Sequence, residues 1–117
     1  MTDHLSRNDL TPQMRTALSL GGRLWERQGM RRVYLNDWHE LAGLVIHTSR
    51  ANLYGELDGQ RVPADSCQAA MNAKAYVDSD GLHIHSVKGL PDLPQRLRWA
   101  FADAHRKRQT ATQLRQR

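Results

Sequence analysis

The sequence predicts an α+β fold: a small antiparallel sheet built from hairpins, a short N-terminal helix, one central helix on the sheet and a basic C-terminal helix. Three observations carry this reading. Asp58-Gly59 and Asp80-Gly81 are strong turn pairs, and the second lies between runs of alternating character. Prolines at Pro12 and Pro94 fall where helices begin, and apolar residues at three-to-four spacing follow them. A length of 117 residues suits a single hydrophobic core formed without metals or disulfides.

In chain order, residues 1–10 are polar and aperiodic, which predicts a flexible start. Thr11 then reads as an N-cap with proline at the first helical position, and Met14, Ala17 and Leu18 share a face, giving a helix from Pro12 to about Leu20 that Gly21-Gly22 ends. The stretch from Arg23 to Leu35 reads either as a continued helix to a Gly29 C-cap or as a hairpin. Its β-branched and aromatic second half favours the hairpin, with strands at Arg23–Arg27 and Arg31–Asn36 and a three-residue loop through Gln28-Gly29-Met30. A short helical turn at Trp38–Ala42 closes at Gly43, and Leu44–Ser49 and Asn52–Leu57 read as two further strands. Val62-Pro63 leads into an Ala-rich helix from about Ala64 to Ala73. A second hairpin spans Ala75 to Val87. A last helix starts at Leu93-Pro94, with Leu97, Ala100, Phe101 and Ala104 on one stripe; beyond His105 the stripe stops, which predicts a solvated helix end or disorder. The organisation is thus 1–10 flexible, 11–91 an α+β core and 92–117 a basic helix or tail.

Charge is unevenly distributed. Residues 1–91 carry ten Lys/Arg and ten Asp/Glu, so the whole formal excess of +5 lies in the last 26 residues. No apolar run approaches the roughly 20 residues that span a bilayer and no signal-peptide order opens the chain, so a cytoplasmic protein without membrane contact is expected. The single cysteine, Cys67, excludes an internal disulfide and a Cys-based zinc cluster, and its small-residue surroundings suit a buried packing role.

The run Leu24-Trp25-Glu26-Arg27-Gln28-Gly29-Met30-Arg31-Arg32-Val33-Tyr34-Leu35-Asn36 resembles a pattern in small uncharacterised phage, prophage and plasmid proteins: a tryptophan-charge strand, a glycine turn, then Arg-Val-Tyr. Glu56 to Val62 and Lys74 to Asp78 look like the same group's later pieces, while Pro63-Ala64 replaces its more usual Ser-Asn pair. The resemblance implies a mobile-element origin and a small sheet protein without known catalytic residues.

Polyanion binding is the leading expectation for function. Arg96, Arg98, Arg106, Lys107, Arg108, Arg115 and Arg117 concentrate positive charge that would release counterions from a nucleic acid, and Arg27, Arg31 and Arg32 of the first hairpin extend that surface. Trp25, Trp38 and Tyr54 are candidates to stack on bases, with core packing the alternative for at least Trp25 or Trp38. The expected partner is nucleic acid or a protein or nucleoprotein complex. The alternatives are an inhibitor of a host defence complex, such as an anti-CRISPR protein, suggested by size and resemblance, and a homodimeric or larger scaffold docking through the Leu97, Ala100, Phe101, Ala104 stripe. His83 and His85, two apart in a strand and so about 7 Å from each other, are a weak candidate metal pair, but the four-ligand or His-x-x-x-His pattern of a structural zinc is absent. No recognisable acid–base–nucleophile set or phosphate-cradling loop occurs, so neither an enzyme nor a cofactor is expected.

Overall fold

A computed structural model describes residues 10–115, with side chains to Leu114. The expectations for residues 1–9, for the Arg115 side chain and for Arg117 lie outside the described residues. The chain forms an α+β protein of antiparallel sheets. Its elements are α1 (Pro12–Ser19), β1 (Arg23–Arg27), β2 (Met30–Tyr34), α2 (Trp38–Leu41), β3 (Leu44–Ser49), β4 (Asn52–Leu57), β5 (Gln60–Val62), α3 (Ala64–Asn72), β6 (Ala75–Asp78), β7 (Gly81–Ile84) and α4 (Leu93–Arg115). The strands divide into two sheets rather than one, a four-stranded sheet of order β1-β2-β6-β7 and a three-stranded sheet of order β3-β4-β5. Two compact units follow: the chain up to Asn36 with Ala75–His83, and Asp37–Lys74 with the chain from Ile84 onward.

In the first unit α1 begins as the sequence dictates. Thr11 Oγ1 accepts from the Met14 amide at 3.2 Å, proline follows at N1, and the Gly22 amide reaches back to the Ala17 carbonyl at 2.9 Å to close the helix. The helix packs on β2 and β6, and Met14, Ala17, Val33, Leu35, Ala75 and Val77 are buried. The β1–β2 loop is tighter than its sequence suggested. Arg27 pairs directly with Met30, so the turn is the two residues Gln28 and Gly29, at φ 52° and 83°. That is the type I′ geometry whose twist matches the strands it joins, and Asp58-Gly59 repeats it at φ 54° and 80°.

In the second unit the Asp58-Gly59 turn folds β5 back onto β4, a strand that the short Gln60-Arg61-Val62 run did not announce. The sheet packs on α3 through β4. Gly55 makes this approach possible, because a Cβ there would lie 2.7 Å from Cys67 Sγ and 3.0 Å from Leu44 Cδ1. Cys67 is fully buried, and burial pushes its thiol pKa up, which suits a packing residue. Trp38 is also core, its indole N–H donating to the Ala73 carbonyl at 3.0 Å. Helix α4 continues unbroken past His105, whereas Phe101 is its last buried side chain among the described residues. Of the stripe, Leu97 and Phe101 are buried and Ala100 and Ala104 are half-buried.

Candidate functional site

Alternation along β1 and β2 sends Arg23, Trp25 and Arg27 to one face with Met30, Arg32 and Tyr34, opposite the face that carries the buried Val33. Register then aligns planar groups across the sheet. Trp25 pairs with Arg32, and Tyr34 pairs with Tyr76 on β6. The Arg32 guanidinium lies 4.4 Å from the centroid of Tyr76 and 5.7 Å from that of Trp25, while His83 stacks on Tyr76 at 5.0 Å and 23°. Each of the four strands therefore contributes one plane, in the order Trp25, Arg32, Tyr76, His83. Tyr34 braces the row, meeting Trp25 edge-on at 6.4 Å and Tyr76 at 5.5 Å.

Hydrogen bonds hold the planes upright. Arg32 Nη1 donates to the Tyr34 hydroxyl at 3.2 Å, and this bond, ahead of the fields of Tyr76, Tyr34 and Asp78, raises the guanidinium pKa against a lesser effect of burial. His83 Nε2 donates to Asp78 Oδ1 at 2.8 Å, and the Asp80 amide donates to the same oxygen at 2.8 Å. Burial alone would raise the Asp78 carboxyl pKa. The His83 bond, the Asp80 amide and the charges of His83 and Arg32 outweigh it and hold the carboxyl below its ordinary 3.8. The face carries three arginines and one carboxylate, and that carboxylate is committed to His83.

The other cations named from the sequence are placed differently. Arg31 points to the opposite face and pairs with Glu26 at 3.2 Å. Arg96 is a structural tie within the second unit: Nη1 and Nη2 grip both carboxylate oxygens of Asp58 at 2.8 and 2.9 Å, and Nε donates to the Ala42 carbonyl at 3.0 Å. Arg106 and Lys107 share one carboxylate, that of Asp103. Arg98 is exposed and Arg108 half-buried on α4. His85 follows the end of β7 and is exposed, so the strand geometry expected for a His83/His85 pair does not extend to it. Among the described residues no three His, Cys, Asp or Glu side chains gather as a metal would need. No helix of the described chain is long and apolar enough to cross a membrane.

Sequence reading missed Tyr76 and Arg23 and saw His83 only as a ligand. The signal for Arg23 was available, since it alternates with Trp25 and Arg27; Tyr76 becomes visible only once β2 is known to pair with β6. Comparison with protein-family models, curated proteins and solved structures found no match for this chain.

Proposed function

We propose that the protein is a non-enzymatic binder of single-stranded nucleic acid, which it engages on the outer face of the four-stranded sheet. The observation that carries this reading is the row Trp25, Arg32, Tyr76, His83, one plane per strand, flanked by Arg23 and Arg27. Bases without a pairing partner stack on aromatic and guanidinium planes with little regard to sequence, while arginines follow the phosphates. Both sides of the Tyr76 ring are already occupied, because β6 lies between the strand of Arg32 and that of His83. Incoming bases therefore stack at the ends of the row, on Trp25 of edge strand β1 and on the His83 imidazole of edge strand β7. Three inter-strand gaps span roughly 14 Å, which accommodates two to three nucleotides of an extended strand.

The test is fluorescence anisotropy with a labelled twelve-nucleotide single strand at low salt. Trp25→Ala and His83→Ala should each weaken binding by at least about fivefold, the lower end of what one stacked base contributes. Affinity unchanged in both variants, or no binding by the wild type, overturns the reading.

A protein target, as expected of an inhibitor of a defence complex, is favoured by one feature of α4. Trp99 is 66% exposed beside a shallow groove lined by Leu41, Ala42, Gly43, Arg96 and Ala100, and exposed tryptophans of this kind anchor protein interfaces. Recovery of a single stoichiometric protein from host lysate that Trp99→Ala abolishes would support this second reading over the first.

A further inference from the structure

The three-stranded sheet repeats the stack of the four-stranded one. His47 on β3, Tyr54 on β4 and Arg61 on β5 contribute one plane per strand. His47 stacks on Tyr54 at 4.8 Å and 21°, against 5.0 Å and 23° for His83 on Tyr76. The Arg61 guanidinium lies 4.2 Å from the Tyr54 centroid, against 4.4 Å for Arg32 over Tyr76. His47 Nε2 donates to Glu56 Oε1 at 2.8 Å, as His83 does to Asp78. In both sheets the tyrosine stands on the middle strand of the three, with histidine on one side and arginine on the other.

The two stacks differ at one end. In the four-stranded sheet the row continues past Arg32 to Trp25, whereas in the three-stranded sheet it stops at Arg61, on edge strand β5. Arg61 is exposed, and among the described residues Tyr54 is the only ring against its guanidinium. Glu56 is its direct cross-strand partner, the carboxylate placed to neutralise it, yet Glu56 is held by His47 and forms no ion pair with Arg61 among the described residues. A flat, weakly hydrated cation is thus fixed by one aromatic ring with its opposite face open, and this is the surface on which an unpaired base stacks.

We infer that the open face of Arg61 receives a nucleobase, which takes the place that Trp25 fills beside Arg32, so that the three-stranded sheet carries a second nucleotide-binding site. The inference rests on the single-strand reading of the four-stranded sheet and extends it to a separate surface. Here the bound strand itself supplies the capping ring.

Charge and plane are separable at Arg61, because lysine keeps the first and loses the second. Anisotropy is measured with a twelve-nucleotide single strand and with an abasic strand of equal length. Arg61→Lys should weaken binding of the base-bearing strand about fivefold and leave the abasic strand unchanged, and Arg61→Ala should weaken both. The exposed position predicts wild-type melting for both variants. Arg61→Gln serves as the second variant should either melt lower, and it too should weaken binding of the base-bearing strand. An Arg61→Lys protein that binds like the wild type, or that loses equally on both strands, overturns the inference. If Trp25→Ala weakens binding while the Arg61 variants do not, the second site alone falls; if the wild type binds neither strand, both readings fall.

Discussion

Replacing Arg23, Arg27 and Arg32 together with glutamine removes the cations of the stacked face and leaves α4 intact. Each arginine that neutralises a phosphate of a single strand contributes about 0.7 to the slope of log affinity against log salt. Three of them give a slope near −2, so raising salt fourfold, from about 50 to 200 mM, should weaken wild-type binding by about 20-fold. Arg32→Gln alone should cut the contribution of this face to about −1.4, and the triple variant should lose that contribution. Deleting residues 106–117 is the matching control. The positive charge of Arg106 and Lys107 is already offset in part by Asp103, so this deletion should change the slope by less than the triple variant does. The assay is anisotropy of one labelled single strand across a salt series, each variant first checked for unchanged melting. A slope that survives in the triple variant and collapses on deletion of 106–117 would refute the assignment to the sheet and return the interaction to the tail.

Gly55→Ala should destabilise the second unit by about 1–3 kcal/mol, because its Cβ would lie 2.7 Å from Cys67 Sγ and 3.3 Å from the Val45 carbonyl oxygen. A denaturant midpoint checks this, and Cys67→Ala in the same chain should recover part of the loss. Arg96→Lys should lower stability by about 1–2 kcal/mol without changing nucleic-acid affinity, since one ammonium cannot reproduce the two bonds to Asp58 and the one to Ala42; parallel chemical denaturation and anisotropy separate the two effects. The Asp78 carboxyl titrates lower in the folded chain than its ordinary 3.8, so the stability it contributes is present above that pH and is lost as pH falls through the folded value. Urea midpoints between about pH 5 and 3 should therefore drop more steeply for the wild type than for Asp78→Asn.

Local chemistry made much of this fold legible. Thr11-Pro12, Asp58-Gly59 and Asp80-Gly81 each encode a cap or turn within four residues, and the structure places a cap or turn at each. The loop at Gln28-Gly29 was misjudged by one residue because glutamine is an uncommon choice for left-handed backbone, and only the Arg27–Met30 pairing reveals the tighter turn. Beyond His105 the sequence left a solvated helix end or disorder open, and the structure shows the helix. Alanines at 102, 104 and 111 and the Asp103 pairs to Arg106 and Lys107 sustain a helix that, among the described residues, buries no large side chain beyond Phe101. The division into two sheets was not legible, because strand order depends on pairings such as Tyr34 with Tyr76 that no local pattern specifies. The candidate site shares that cause. Charge counting pointed to the C-terminal cations, among which Arg96 proves to be held by Asp58, 38 positions away. The stacked face emerges only when β2 and β6 are brought side by side.

Among the described residues two histidines lie nearly flat on a tyrosine ring, His83 on Tyr76 and His47 on Tyr54. Carbon-bound imidazole protons in that position fall within the shielding region of the phenol's ring current, so their resonances should be displaced upfield of those of the exposed His85. Each sheet thereby carries its own magnetic reporter. A ligand that disturbs one stack should move one pair of signals and leave the other still, so occupancy of the two surfaces can be read from an unlabelled protein in a one-dimensional proton spectrum.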